Sequence, residues 1–151
     1  GTRSMKQPIL ITPNLTNLEG TESAKAYLGK KVCTNSGDRA GRVKDVIIKN
    51  GAIAGLVIKG REKLFIDRQY TLDGAADNVL LKIDPVTMLK RKLVFDNNGK
   101  RLGRVQSIER KSLRNSCDEL LVKKNIFTKP MRIPFSDVEV SKKNIILNKS
   151  Y

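Results

Sequence analysis

The sequence contains no histidine and no tryptophan, and aromatic residues make up only 5% of it. Without histidine there is no His-based triad, no His general base and no His metal ligand. With so few rings, any core must be built from Val, Ile and Leu. The longest apolar runs, such as Val46-Ile47-Ile48 and Leu56-Val57-Ile58, are far too short to span a bilayer. Only two cysteines occur, Cys33 and Cys117, with no CxxC spacing. They read as reduced thiols of a cytoplasmic protein, and Cys33, inside an apolar strand, reads as core rather than nucleophile. No secretory signal is visible, since the stretch 8–18 is broken by Pro13 and by Asn and Thr. Residues 1–4 precede Met5 and read as a cloning remnant.

Acidic residues are scarce beside basic ones: 15 Asp and Glu face 30 Lys and Arg, a formal net charge of +15. The excess is uneven, with +1 over residues 1–26, +4 over 27–88 and +10 over 89–151. Such a field attracts nucleic acid, anionic lipid or an acidic protein surface, although a lysine-rich surface also serves solubility alone.

An internal repeat organises the chain. The segment 30–43 (KKVCTNSGDRAGRV) and the segment 92–105 (KLVFDNNGKRLGRV) are identical at eight of fourteen positions at a constant offset of 62. Both read as strand, tight turn, strand. Asn35-Ser36-Gly37 and Asn97-Asn98-Gly99 supply residues that accept positive φ, and Gly41 and Gly103 permit a bulge in the next strand. Asn50-Gly51 marks a second hairpin in the first copy, whereas the second copy has a polar stretch, 109–116, at that place. Each copy then has a short strand, 64–66 and 131–133, and ends on an apolar one, 78–81 and 144–147. The offset there has grown to 66, so the second copy has longer middle loops. The expected fold class is all-β, with five or six short strands per copy forming two small barrels in tandem. Helix is confined to single turns near 23–28 and 135–138. The expected division is an extension at 1–26, a first barrel at 27–88 and a second at 89–151. Two separate cores are expected, one from Val32, Val43, Val46, Leu56, Ile58, Ile66 and Leu80. The other takes Val94, Val105, Ile108, Leu121, Ile133, Phe135 and Ile146.

Other chemistry finds no support. Asp96-Asn97-Asn98-Gly99 is similar to the start of a calcium loop, but the twelfth position, where a bidentate Glu is needed, is Ser107. The GxxxG strings 37–41 and 51–55 lack the Gly-Lys-Ser/Thr of a P-loop and read as hairpin glycines. No cofactor, metal or catalytic set is expected. The candidate anion- or partner-binding residues are the recurring Arg39, Arg42, Arg101 and Arg104, with Lys90, Arg91, Lys92 and Lys100. They could grip phosphate or carboxylate, or merely protect a strand edge.

The segments Tyr27-Leu28-Gly29-Lys30-Lys31-Val32 and Gly41-Arg42-Val43-Lys44-Asp45-Val46, followed by Gly55-Leu56-Val57-Ile58, resemble the PRC-barrel domain family. Ile133-Pro134-Phe135 in the second copy resembles its ending. The first copy departs there, with Ile66-Asp67-Arg68, and the second lacks the glycine hairpin. Relatives include the photosynthetic reaction-centre H subunit, the ribosome-maturation factor RimM and small archaeal proteins, some associated with cell division. The resemblance implies a non-enzymatic binding module. A protein-interaction adaptor in a cytoplasmic assembly, with self-association as one form of it, is the first expectation. RNA binding through the basic second copy is the alternative, and a stand-alone archaeal member is the form it resembles.

Overall fold

The computed structural model describes residues 15–75 and 77–151, so the reading of residues 1–4 as a cloning remnant lies outside the described residues. The chain folds as all-β, in two six-stranded sheets. The first contains β1 (Lys31–Cys33), β2 (Arg39–Lys49), β3 (Ala52–Lys59), β4 (Lys63–Asp67), β5 (Thr71–Ala75) and β6 (Asn78–Leu81). The second contains β7 (Leu93–Phe95), β8 (Arg101–Glu109), β9 (Glu119–Lys123), β10 (Met131–Pro134), β11 (Val138–Ser141) and β12 (Ile145–Leu147). The strand orders, β4-β3-β2-β1-β6-β5 and β10-β9-β8-β7-β12-β11, are the same.

The repeat holds at the level of single pairings. Val32 faces Gly41 and Val94 faces Gly103, each pair beside a bulge in the ladder. Both glycines have positive φ, 146° and 135°. A Cβ on Gly41 would lie 2.5 Å from the Lys59 carbonyl oxygen, and one on Gly103 2.3 Å from that of Lys123. A glycine is needed here because the neighbouring strand runs against the backbone itself. Short 3₁₀ turns also repeat: Ala24–Tyr27, capped by Ser23, corresponds to Val86–Leu89, and Arg68–Tyr70 to Phe135–Asp137. Asp67, which replaces the proline of the second copy, nevertheless takes a proline-like φ of −61°.

Each sheet curls, but no ladder joins β4 to β5 or β10 to β11 among the described residues. The barrels are therefore open at that seam, which the 3₁₀ turn bridges. The exposed edge of β4 is covered instead by the loop 110–118 of the second repeat. Phe65 N–H donates to the Leu113 carbonyl at 2.7 Å, and Arg110 donates to the Lys63 carbonyl at 3.1 Å. Arg114 stacks over the Phe65 ring at 5.7 Å and pairs with Asp67 at 3.7 Å. Asn115 holds the linker from both sides, accepting from Val86 N–H at 2.7 Å and donating to the Asp84 carbonyl at 3.2 Å.

This joint corrects the expectation of two separate cores. The buried side chains of both repeats form one contiguous apolar cluster, which includes Val86 and Leu89 of the connecting turn. Three core assignments also shift by one residue. Leu80 and Leu121 are only half-buried and Ile146 is 41% exposed, while Val79, Leu81, Leu120, Val122, Ile145 and Leu147 are buried. Parallel pairing explains the parity: Val79 lies beside Val32 and Ile145 beside Val94, so these share the inward face. Val46, Ile108 and Phe135 pack against the cluster but are only partly buried.

Candidate functional site

Of the eight basic residues singled out in the sequence, four donate to main-chain oxygens and two line a common cleft. Arg42 Nη1 donates to the Gly29 carbonyl at 2.8 Å, and Arg104 Nη1 donates to the Arg91 carbonyl at 2.9 Å. These bonds fasten the same turn in each repeat, where Gly29 and Arg91 both take positive φ. Lys92 donates its ammonium to the Lys142 carbonyl, and Lys100 donates to the main-chain oxygen of Tyr151 at 3.1 Å. Arg101 is exposed at the start of β8. Half of the set thus places one donor on the protein's own backbone.

Arg39 and Lys90 do come together. They line a cleft of about 350 Å³ between the repeats, and Arg61 completes its charged lining. Ala40, Gly41, Gly60, Thr87 and Met88 form the rest of its lining. No acidic side chain lines it. The close approach of Gly41 to Lys59, and of Gly60 to the Ala40 carbonyl, makes one wall bare main chain. Three cations around a shallow cleft, whose floor also includes Ala40 and Met88, suit a carboxylate or phosphate group. Arg61 was not legible from the sequence, because only the β3–β4 turn carries it to this place. On the other side of the Val86–Leu89 turn lies a wider groove of about 700 Å³, with mixed charge from Asp38, Asp84, Lys92, Lys142 and Lys143.

The remaining chemistry is structural. Asp96 is buried in the β7–β8 turn, where its carboxylate accepts from the backbone N–H groups of Asn98 and Lys100, both at 2.9 Å, and from that of Tyr151 at 3.3 Å. Burial alone would push its pKa up; the N–H groups of Lys100, Tyr151 and Asn98 hold it below the ordinary value. The Tyr151 hydroxyl donates to buried Asp137. That bond, with Lys149 at 3.2 Å, holds the Asp137 carboxyl low, whereas burial and then Asp137 push Tyr151 up to about 12. Cys117 and Cys33 are free thiols, and burial raises the pKa of Cys117, which makes it a poor nucleophile. Among the described residues no group of three His, Cys, Asp or Glu could hold a metal. No helix among them is long and apolar enough to cross a membrane.

A family model described as PRC-barrel domain matches residues 19–88. Among curated proteins none matches the chain.

Proposed function

We propose that the chain, whose residues 19–88 match the PRC-barrel domain model and whose second sheet has the same strand order, is a non-enzymatic adaptor that docks an acidic segment of a protein partner. The cleft of Arg39, Arg61 and Lys90, which has three cations and no carboxylate in its lining, carries the reading. A Glu- or Asp-rich segment entering it would meet two guanidinium forks and an ammonium. The fold joins the repeats into one body, so a partner bridging them meets a preformed surface rather than one it must order. The setting we propose is a cytoplasmic assembly, of the kind that archaeal cell-division relatives build.

The alternative, RNA binding through the basic second repeat, rests on the net charge of +10 over residues 89–151. Arg104, Lys92 and Lys100, on which it relied, each give one donor to a main-chain oxygen, which ties their side chains to the protein surface. Co-purification from native cells, with and without nuclease, separates the two. The adaptor predicts that the same protein partner persists after nuclease and is lost when Arg39, Arg61 and Lys90 are replaced by Gln. Loss of every partner on nuclease treatment would refute it.

A further inference from the structure

The turn between β9 and β10 carries a feature that neither the barrel nor the cleft uses. Ile126 is 80% exposed and Phe127 91%. Two adjacent large apolar side chains gain nothing for the fold in this position. The turn nevertheless holds them outward. Phe127 N–H donates to Asn125 Oδ1 at 2.9 Å, Asn125 N–H to Thr128 Oγ1 at 3.3 Å, and Thr128 Oγ1 to the Asn125 carbonyl at 3.1 Å. Lys123, Lys124 and Lys129 flank the pair in the sequence, and no acidic residue occurs from Leu120 to Ser136. The equivalent turn of the first repeat is only Gly60-Arg61-Glu62, with no apolar side chain, so the fold does not require the longer, apolar tip.

We propose that this tip docks on an anionic membrane surface, with Ile126 and Phe127 inserted at the headgroup–acyl boundary and the three lysines on the headgroups. The shape favours lipid: a projecting pair enters a fluid surface without a matching pocket. The charge specifies anionic lipid, since neighbouring lysines gain from a negative surface potential. Insertion and charge together supply the two signals that stable peripheral attachment needs. A nucleic acid would find one ring to stack on, beside an aliphatic side chain that offers no planar face. The proposal does not depend on the acidic-partner reading, because the tip and the cleft share no residue.

The test is sedimentation of the full chain with vesicles of phosphatidylcholine alone and of equal parts phosphatidylcholine and phosphatidylserine. Binding is expected only to the second, and Ile126→Ser with Phe127→Ser should reduce it about tenfold or more. The same thermal midpoint in that variant would show that the fold is kept. Ile48→Ser, at an apolar residue 60% exposed on the other hairpin, should change nothing. Phe127→Trp adds a single tryptophan to a chain that has none, and its emission should shift to the blue on the anionic vesicles. Vesicle binding unaffected by the double serine variant would overturn the proposal. So would an absence of anionic-vesicle binding, or a Phe127→Trp emission that responds to poly-uridine RNA but not to vesicles.

Discussion

Gly99 takes a φ of 81° as the fourth of the five residues that join β7 to β8, and Gly37 takes 88° at the same place in the first repeat. The neighbouring asparagines do not share that conformation. Only the glycine is left-handed, as in a loop whose first residues form an ordinary turn and whose last opens a bulge. Of the residues in these turns that can accept positive φ, only the glycines adopt it. Asn98 instead donates to Ser150 at 2.8 Å. Gly99→Val should therefore destabilise the protein by about 1–3 kcal/mol, and Asn98→Ser by less, measured by equilibrium unfolding. Equal losses would contradict this account. A second residue-scale prediction concerns Tyr151, whose hydroxyl bonds Asp137. Asp137 is lowered in the fold, so its contribution is present above its unfolded pKa, near 4, and is lost as pH falls through the folded value. Tyr151 is raised to about 12, so its contribution is present below an unfolded value near 10 and is lost as pH rises towards 12. The stability gap between wild type and Tyr151→Phe should be widest between about pH 4 and 10 and should shrink on both sides. A gap that does not vary with pH would remove the bond from the account. Neither Asp137 nor Tyr151 stood out in the sequence, because 14 positions separate them and no local pattern announces the pair.

At the scale of elements, the strand-turn-strand repeat was legible because identical residues recur at one offset and glycine is irreplaceable at Gly41 and Gly103. The inward face of the last strand was not. Asn78-Val79-Leu80-Leu81 and Asn144-Ile145-Ile146-Leu147 are runs without alternation, and their parity is decided by pairing with β1 and β7 far away in sequence. Leu147→Ala should accordingly cost about 2–5 kcal/mol, and Ile146→Ala clearly less, in urea unfolding. The reverse order would mean that the strand is placed one residue out of register. β5 and β11 escaped the sequence reading for a related reason, since neither has a sustained apolar pattern. The 110–118 loop was legible only as polar. That it clamps the other repeat follows from what the β4 edge offers, which is unpaired main chain. Replacing Asn115 with Ala would leave the Val86 N–H without its acceptor and should cost about 1–3 kcal/mol. An unchanged denaturation midpoint would show that the clamp is not needed.

Over the whole molecule, two copies of one fold have diverged in their loops while keeping their strands. The offset is 62 at Gly41 and Gly103, 64 at Lys59 and Lys123, 67 at Ile66 and Ile133, and 66 at Val79 and Ile145. The growth falls in two connections of the second copy, one of which grips the first repeat while the other projects Ile126 and Phe127. The sequence showed the excess of charge but not its use, because strand pairing and main-chain acceptors decide which cations remain free. The most direct measurement is a titration of the full chain with a labelled Glu-rich peptide and with labelled single-stranded RNA, at low and at physiological salt. Wild type is compared with Arg39→Gln/Arg61→Gln/Lys90→Gln. Surface changes of this kind should alter stability by less than about 0.5 kcal/mol. The adaptor account predicts peptide binding that persists at physiological salt and is lost in the triple variant, with RNA binding that collapses as salt rises. Submicromolar RNA binding that survives physiological salt, with no binding of the peptide, would contradict it.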